Sequence, residues 1–268
     1  MTMLDLRNPG LREIFRLSVR RTYAYRVFTG LGVFQVLLQL LLMRAIWQAV
    51  YGDQASVDGV SIETTITYLT VVGLLTHIIY PGIAREIHRR VDQGQVVVDM
   101  VRPVGFVRQM LALELGDAAG RWMLLIVVIP ALLVIGSLTP PSPLVFVVFL
   151  FSLLLAFTVS VLIWLLVGLS GFWLIDISGT SSLVGIIGSF LAGSTIPLWF
   201  MPEPLRIVVE LLPFQAIFFL PASIYVEQAQ GSEMWRALGI QAFWVTALWL
   251  FSAWTWRRAQ NRLVVQGG

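Results

Sequence analysis

The chain contains no lysine and no cysteine among its 268 residues. A P-loop has the motif GxxxxGK[ST], whose lysine reaches the terminal phosphates, so this chain has no ATP site of that kind. The lack of cysteine excludes disulfides, thiol catalysis and cysteine-ligated metals, and it leaves the redox compartment undetermined. Charged residues are also scarce, at 12% where a soluble domain has roughly 25%. The chain is therefore not composed like a soluble protein.

Apolar residues are abundant instead: they make up 57% of the chain, and the mean hydropathy is +0.83. This composition predicts an integral membrane protein of the all-α class, with six apolar stretches of span length. The predicted spans lie near residues 27–50, 65–83, 111–138, 144–168, 172–195 and 237–256. The basic residues lie beside these spans rather than on a soluble face, so no nucleic acid partner is predicted.

Arginines are distributed unevenly along the chain. Of the 18, fourteen fall in the N-terminal arm, the connection between the second and third spans, or the tail. Because arginine flanks spans mainly on the cytoplasmic side, we predict that both termini are cytoplasmic. Residues 11–26 combine apolar positions at helical spacing with a basic face, which predicts an interfacial amphipathic helix; a solvated basic arm is the alternative. The predicted organisation is an arm over 1–26 and one six-span domain over 27–268.

A charged block interrupts the apolar sequence after the second span. Residues Arg85 to Pro103 read REIHRRVDQGQVVVDMVRP. An arginine at the centre of a bilayer costs ~3 kcal/mol or more, so this block must project into water. We predict a compact cytoplasmic segment over 84–105 that a soluble partner binds.

A proline-rich stretch precedes the last span and has a different character. Five of the chain's 12 prolines lie in it, among many apolar residues. Proline breaks a continuous helix, so short broken helices that enter the outer leaflet are expected. We predict an exterior, re-entrant lid over 196–222, with aromatic residues that suit an amphipathic or hydrophobic substrate or that simply face lipid.

Three further features near the third and fifth spans are candidates for function or packing. Asp176 is predicted near the inner end of the fifth span, where an isolated carboxylate is a functional hypothesis, although hydration or capping by a neighbouring chain explains it equally well. A ridge of small residues in the same span predicts close helix packing, with a subunit interface as one possibility: Ser181, Gly185, Ser189 and Gly193. Asp117 and Arg121 are spaced to form an ion pair within the third span, beside Glu114.

The chain resembles the permease subunits of ABC exporters of the type-2 class, in particular the bacterial single-domain permeases that pair with a second, similar permease. The resemblance rests on REIHRRVDQGQVVVDMVRPVGFVRQML and on GSTIPLWFMPEPLRIVVELLPFQAIFFLP, together with the six spans and the amphipathic arm. It covers nearly the whole chain.

The resemblance implies that ATP hydrolysis and substrate transport are carried out by different subunits. Separate ABC ATPase subunits bind ATP and magnesium, this chain holds no cofactor, and a second permease, identical or related, completes the pathway in the bacterial inner membrane. The charged segment is then a coupling helix that contacts the ATPase through Arg85, Glu86, His88, Arg89, Arg90, Asp92, Gln93, Gly94, Asp99, Arg102 and Pro103. The first and fifth spans line the route below the lid, with pathway and lid residues Asp176, Phe190, Pro197, Trp199, Phe200, Pro213 and Phe214. The expected cargo is an amphipathic or hydrophobic small molecule, peptide or lipid.

Two other functions fit parts of the pattern. A stand-alone ion- or proton-coupled transporter requires an intramembrane carboxylate, for which Asp176 is the isolated candidate, but such carriers have inverted repeats and this chain shows none. A structural membrane subunit explains the spans but gives no reason for a proline-broken lid.

Overall fold

The computed structural model of the chain describes residues 9–24, 26–122, 129–130 and 138–266. Its first half is helical apart from one antiparallel hairpin, in which Ser56–Val57 pairs with Val60–Ser61. The helices of this half are α1 (Pro9–Ala24), α2 (Arg26–Tyr51), α3 (Ile62–Ile79), α4 (Ile83–Asp92), α5 (Gln95–Val101) and α6 (Phe106–Trp122).

The second half contains two long helices, α7 (Pro143–Ser170) and α11 (Ser232–Gln266), and a shorter apolar helix, α8 (Ser178–Leu191). Between α8 and α11 the chain forms four short turns of helix: Leu198–Phe200, α9 (Glu203–Glu210), Pro213–Ala216 and α10 (Phe219–Tyr225). We refer to residues 196–225 as the broken segment. Its helices are all eight residues long or shorter, as the prolines predict.

The described residues confirm the all-α membrane class. Three helical segments in this part of the chain are long and apolar enough to span a bilayer: Ile62–Asp92, Pro143–Ser170 and Ser232–Asn261. Two shorter apolar helices, Leu37–Tyr51 and Ser178–Leu191, fall at the predicted first and fifth spans. The predicted third span, 111–138, lies in part outside the described residues, since 123–128 and 131–137 are among those not described.

The core lies along α7, which packs against α11, α4 and α10. A Cβ atom on Gly168 would lie only 2.9 Å from the Cα of Ala84. This close approach requires glycine, because real Cβ atoms do not come so near another backbone. Helix α4 is therefore held directly against the end of a central span.

The amphipathic helix α1 packs against α6. The Ser18 hydroxyl donates to the Leu113 carbonyl at 3.0 Å and to the Asp117 carboxylate at 2.5 Å. Glu114, Asp117 and Arg121 were expected to form a structural ion-pair cluster, and an ion pair does form among them, but Arg121 pairs with Glu114, at 2.6 Å, rather than with Asp117. The residues sit on one helix as predicted, but the carboxylate two turns away, rather than one turn away, receives the guanidinium.

Candidate functional site

The charged block forms a helical hairpin, which we call the α4–α5 hairpin (residues 83–103). Gly94 lies between the two helices with φ +68°. This left-handed conformation is one that glycine adopts without steric cost, so Gly94 provides the tight turn. The turn folds α5 back beside α4 and brings charges from both helices together.

A buried carboxylate joins the two helices of the hairpin. Asp99 is 3% exposed, and its carboxylate accepts a hydrogen bond from the Arg90 guanidinium. Arg102 Nη1 lies 3.2 Å from the other oxygen of Asp99. Gln109 of α6 donates to the Asp99 carbonyl at 2.9 Å and to the Val104 carbonyl at 2.7 Å. The buried side chains of Asp99 and Gln109 are thus hydrogen-bonded, and the hairpin is fixed to α6.

Glu86 extends the same network along α4. Its carboxylate receives Arg89 Nη2 and Arg90 Nε, each at 2.7 Å from Oε1. Arg89 also donates to Gln93 Oε1 at 2.9 Å. The hairpin's acidic and basic side chains are therefore engaged mainly with one another rather than left free for a partner.

The exposed side of α5 carries an apolar cluster. On α5, Val97 is 60% exposed, Val98 63% and Val101 83%. We call these three residues the valine face. Its neighbour Val96 points the other way and is buried.

The base of the hairpin is held by polar contacts to two spans. The Gly82 amide, at the start of α4, donates to Oε2 of buried Glu114 at 2.8 Å. Glu114 Oε1 pairs with Arg121. The Ser160 hydroxyl of α7 donates to the Ile79 carbonyl, at the end of α3, at 3.1 Å. These contacts satisfy the backbone groups that are freed where α3 stops and α4 begins.

The family model for "ABC-2 family transporter protein" matches residues 34–267 of this chain, which includes the hairpin, the broken segment and the spans on either side. The chain belongs to the ABC-2 transporter family. It is a multi-pass membrane protein and a permease of an ABC transporter. No curated protein gives a significant match.

In this ABC-2 permease the predicted coupling residues fall into two groups. Glu86, Arg90 and Asp99 lie inside the network and hold the hairpin together, so they are poorly placed to contact another protein. The remaining predicted residues with exposed positions are Arg85, Arg89, Asp92, Gln93, Gly94, Arg102 and Pro103. His88 is partly buried, and its Nε2 lies 3.8 Å from Asp176 Oδ1.

Asp176 does not lie within a span. Helix α8 begins at Ser178, later than predicted, and Asp176 is in the loop before it with 65% of its side chain exposed. Its Oδ1 accepts from the Ser178 hydroxyl at 2.7 Å and from the Ser178 amide at 2.9 Å. These hydrogen bonds hold the pKa of the Asp176 carboxyl below its ordinary value. The carboxylate is therefore engaged with Ser178 in the turn just before α8.

The small-residue ridge of α8 faces its own chain at two positions. A Cβ atom on Gly185 would lie 3.3 Å from the Tyr80 hydroxyl, and Ser181 lines a cavity beside Tyr80. Gly193 is not part of a helical ridge: it follows the end of α8 with φ +77°, where it terminates the helix. The Ser189 hydroxyl donates to the Ile186 carbonyl. A subunit contact through this ridge stays a prediction.

The predicted lid residues form packed clusters in the permease. Trp199 lies 4.7 Å from Tyr68 and Phe200 lies 5.1 Å from Trp47, measured between ring centroids. The Phe214 ring lies against Gly188, whose added Cβ would be 3.0 Å from it. Pro197 is buried, and Pro213 opens a short helix. Phe190 keeps 37% exposure, which leaves it available to a pathway or to lipid.

Two features of the site were missed by sequence reasoning. The valine face was overlooked because three valines beside charged residues look like an ordinary helix in one dimension. Glu114 was interpreted as part of an ion-pair cluster, but its bond to Gly82 joins two segments that lie 32 residues apart. The presence of a carboxylate within an apolar span was the signal available for it.

Proposed function

We propose that this permease belongs to an ATP-driven exporter and that its α4–α5 hairpin binds a separate ATP-hydrolysing subunit. The valine face is the observation that carries the proposal. Clustered exposed valines on a segment that projects from the spans favour a protein interface, because burying them removes apolar surface from water. The missing lysine fits this division, since ATP and magnesium would be bound by the partner.

The hairpin is built to transmit a movement to the spans. Glu114 ties the start of α4 to α6, and the close contact at Gly168 holds α4 against α7. Gln109 attaches the end of α5 to α6. A displacement of the valine face would therefore move α6 and α7 with it, because buried hydrogen bonds and close packing leave little room for independent motion.

The remaining assignments rest on the family resemblance and on charge distribution. The positive-inside bias supports a cytoplasmic hairpin and cytoplasmic termini in the bacterial inner membrane. A second permease, identical or related, would complete the pathway. Helices α2 and α8 would line it, the broken segment would cover its exterior side, and the cargo would be an amphipathic or hydrophobic small molecule, peptide or lipid.

The experiment that tests this function is co-expression of the tagged chain with its genomic neighbours, followed by purification in mild detergent and an assay of ATP hydrolysis. The double variant Val98→Asp/Val101→Asp should lower the amount of co-purified ATPase about tenfold or more, because an interface would have to bury two unpaired carboxylates. Val208→Asp is the matched control: Val208 is a similarly exposed valine, 55%, on the broken segment, and its replacement should leave the ATPase bound.

Two results would contradict the proposal. If the wild-type chain purifies without an ATPase across several detergents, the permease does not act with a separate motor. If the double variant retains the ATPase at the wild-type level, the valine face is not the docking surface. The stand-alone proton-coupled alternative finds no support at Asp176, since that carboxylate is exposed and hydrogen-bonded to Ser178 in the loop before α8.

A further inference from the structure

A polar cavity of about 300 Å³ lies at the base of the α4–α5 hairpin. Three segments border it: the junction of α3 and α4, the middle of α7 at Trp164, and the first turns of α8. Its polar lining consists of Tyr80, Arg85, His88, Ser178, Ser181 and Ser182. Hydroxyl groups and one guanidinium thus surround a space between membrane-spanning helices.

Arg85 differs from its neighbours in the hairpin. Arg89, Arg90 and Arg102 each pair with a carboxylate, whereas Arg85 forms no ion pair or hydrogen bond with any described residue. On its other side Arg85 borders a second cavity that Glu86, Glu114 and Asp117 also line. Glu86 and Glu114 are already engaged by other arginines, and Asp117 accepts from the Ser18 hydroxyl. An arginine left uncompensated beside a cavity is suited to an anionic ligand.

The carboxylate nearest the cavity does not fill this role. Asp176 lies 3.8 Å from the Nε2 of His88, but its Oδ1 is held by the amide and hydroxyl of Ser178. The attraction for an anion therefore rests on Arg85 and on the hydroxyls of Tyr80, Ser181 and Ser182.

The surface next to the cavity is strongly apolar. In the loop that leads into α8, Trp173 is 38% exposed, Leu174 43% and Ile175 98%. Along α8 itself, Leu183 and Ile186 are exposed as well. An anion site bordered by exposed apolar side chains matches a phospholipid, whose phosphate lies at the headgroup level and whose chains lie beside it.

We propose that this cavity binds the phosphate of an anionic phospholipid headgroup, with Arg85 as the charged ligand and the hydroxyls of Tyr80 and Ser181 as hydrogen-bond donors. The lipid's acyl chains would run along the apolar loop and the exposed side of α8. This site is separate from the valine face and does not depend on ATPase docking.

The test is native mass spectrometry of the detergent-purified permease, in whatever assembly it forms, titrated with phosphatidylglycerol or phosphatidylcholine. We expect phosphatidylglycerol to bind preferentially and Arg85→Gln to weaken it about tenfold, because charge-assisted hydrogen bonds are the strong ones. Arg108→Gln removes an exposed arginine outside the cavity and should change nothing. Ser181→Ala removes one of the proposed hydrogen-bond donors but keeps the guanidinium. It should weaken phosphatidylglycerol binding less than Arg85→Gln does, and it still tests the site if the arginine variant does not fold.

Several outcomes would overturn the proposal. Equal binding of the two lipids, or unchanged binding of phosphatidylglycerol to both cavity variants, would remove the site. Displacement of the lipid by inorganic phosphate alone, with the same dependence on Arg85, would assign the cavity to a soluble anion. Loss of a second subunit in Arg85→Gln, with lipid binding intact, would make the cavity a subunit contact.

Discussion

The α4–α5 hairpin and the broken segment of this permease are stabilised by different interactions. At the α4–α5 hairpin, charged groups from three helices are linked by short hydrogen bonds. In the broken segment, aromatic rings pack on one another and on α3, and Trp199 Nε1 is buried with no partner among the described residues. Hydrogen bonds and ion pairs, which are directional, hold the hairpin, whereas mostly non-directional aromatic packing holds the broken segment.

The hairpin and the broken segment differ in what surrounds them, and this explains how each is stabilised. The hairpin is only about twenty residues long, and paired charges help to hold its shape while the valine face stays exposed. The broken segment lies against the apolar ends of spans, where aromatic packing supplies stability without strict geometry. We expect the hairpin to move as a rigid body and the broken segment to tolerate local repacking.

The largest loss of stability is expected from a substitution at the base of the hairpin. Glu114→Ala removes the acceptor of both the Gly82 amide and the Arg121 guanidinium, and leaves a buried charge unpaired. Breaking such a pair costs about 3–5 kcal/mol, so the free energy of unfolding should fall by that amount. Thermal unfolding in detergent, followed by tryptophan fluorescence, measures it. Glu114→Gln keeps an acceptor for the Gly82 amide, so its free energy of unfolding should fall less. Equal losses of stability in the two variants would mean that the Gly82 contact contributes nothing.

A smaller and more local effect is expected within the hairpin. Asp99→Ala removes the carboxylate that Arg90 and Arg102 share, and the mostly buried Arg90 loses this partner, a penalty of about 1–3 kcal/mol for an unsatisfied buried group. Glu86 still pairs with Arg90, so the spans should remain folded while α5 detaches from α4. Limited trypsin digestion reports this directly, because a chain without lysine is cleaved only at arginine.

The control for the hairpin is Asp92→Ala, which removes an exposed carboxylate from the same segment without breaking an ion pair in the described part of the chain. It should leave cleavage at Arg89, Arg90 and Arg102 as slow as in the wild type. If Asp99→Ala is also cleaved at the wild-type rate, the network does not determine the shape of the hairpin, and the contrast between the two ends of the molecule fails.

The sequence predicted where the charged segment and the proline-rich segment lie, but not the contacts within each of them. Charge density placed the segment over 84–105, and proline content placed the lid over 196–222, since both signals depend on composition within a short window. The roles of individual residues depend on contacts across the fold. Asp99 and Arg90 were interpreted as a surface for the ATPase, although α5 folds back so that they face each other. No local pattern contains that information.

Asp176 shows the same limit at a helix boundary. The apolar run from Gly171 to Ile175 extended the predicted fifth span, so Asp176 was placed inside it. The structure instead begins α8 at Ser178, and Asp176 accepts hydrogen bonds from the Ser178 amide and hydroxyl in the turn before it. Such local side-chain hydrogen bonds favour a turn over a helix, and a hydropathy window does not register them.

The smallest loss of stability is expected where the broken segment packs against α3. This substitution is the sharpest test of the difference between the hairpin and the broken segment. Tyr68→Phe removes the hydroxyl that donates to the Gly193 carbonyl at 2.9 Å but keeps the ring that packs on Trp199 and Phe219. If ring packing supplies most of the stability at this end, the loss should be about 1 kcal/mol, the net value of one hydrogen bond. Tyr225→Phe is the control, because the Tyr225 hydroxyl forms no hydrogen bond with any described residue, and it should unfold like the wild type. A loss at Tyr68 as large as that at Glu114 would show that a polar contact holds this end too, and the two ends would then differ in composition but not in the kind of interaction that stabilises them.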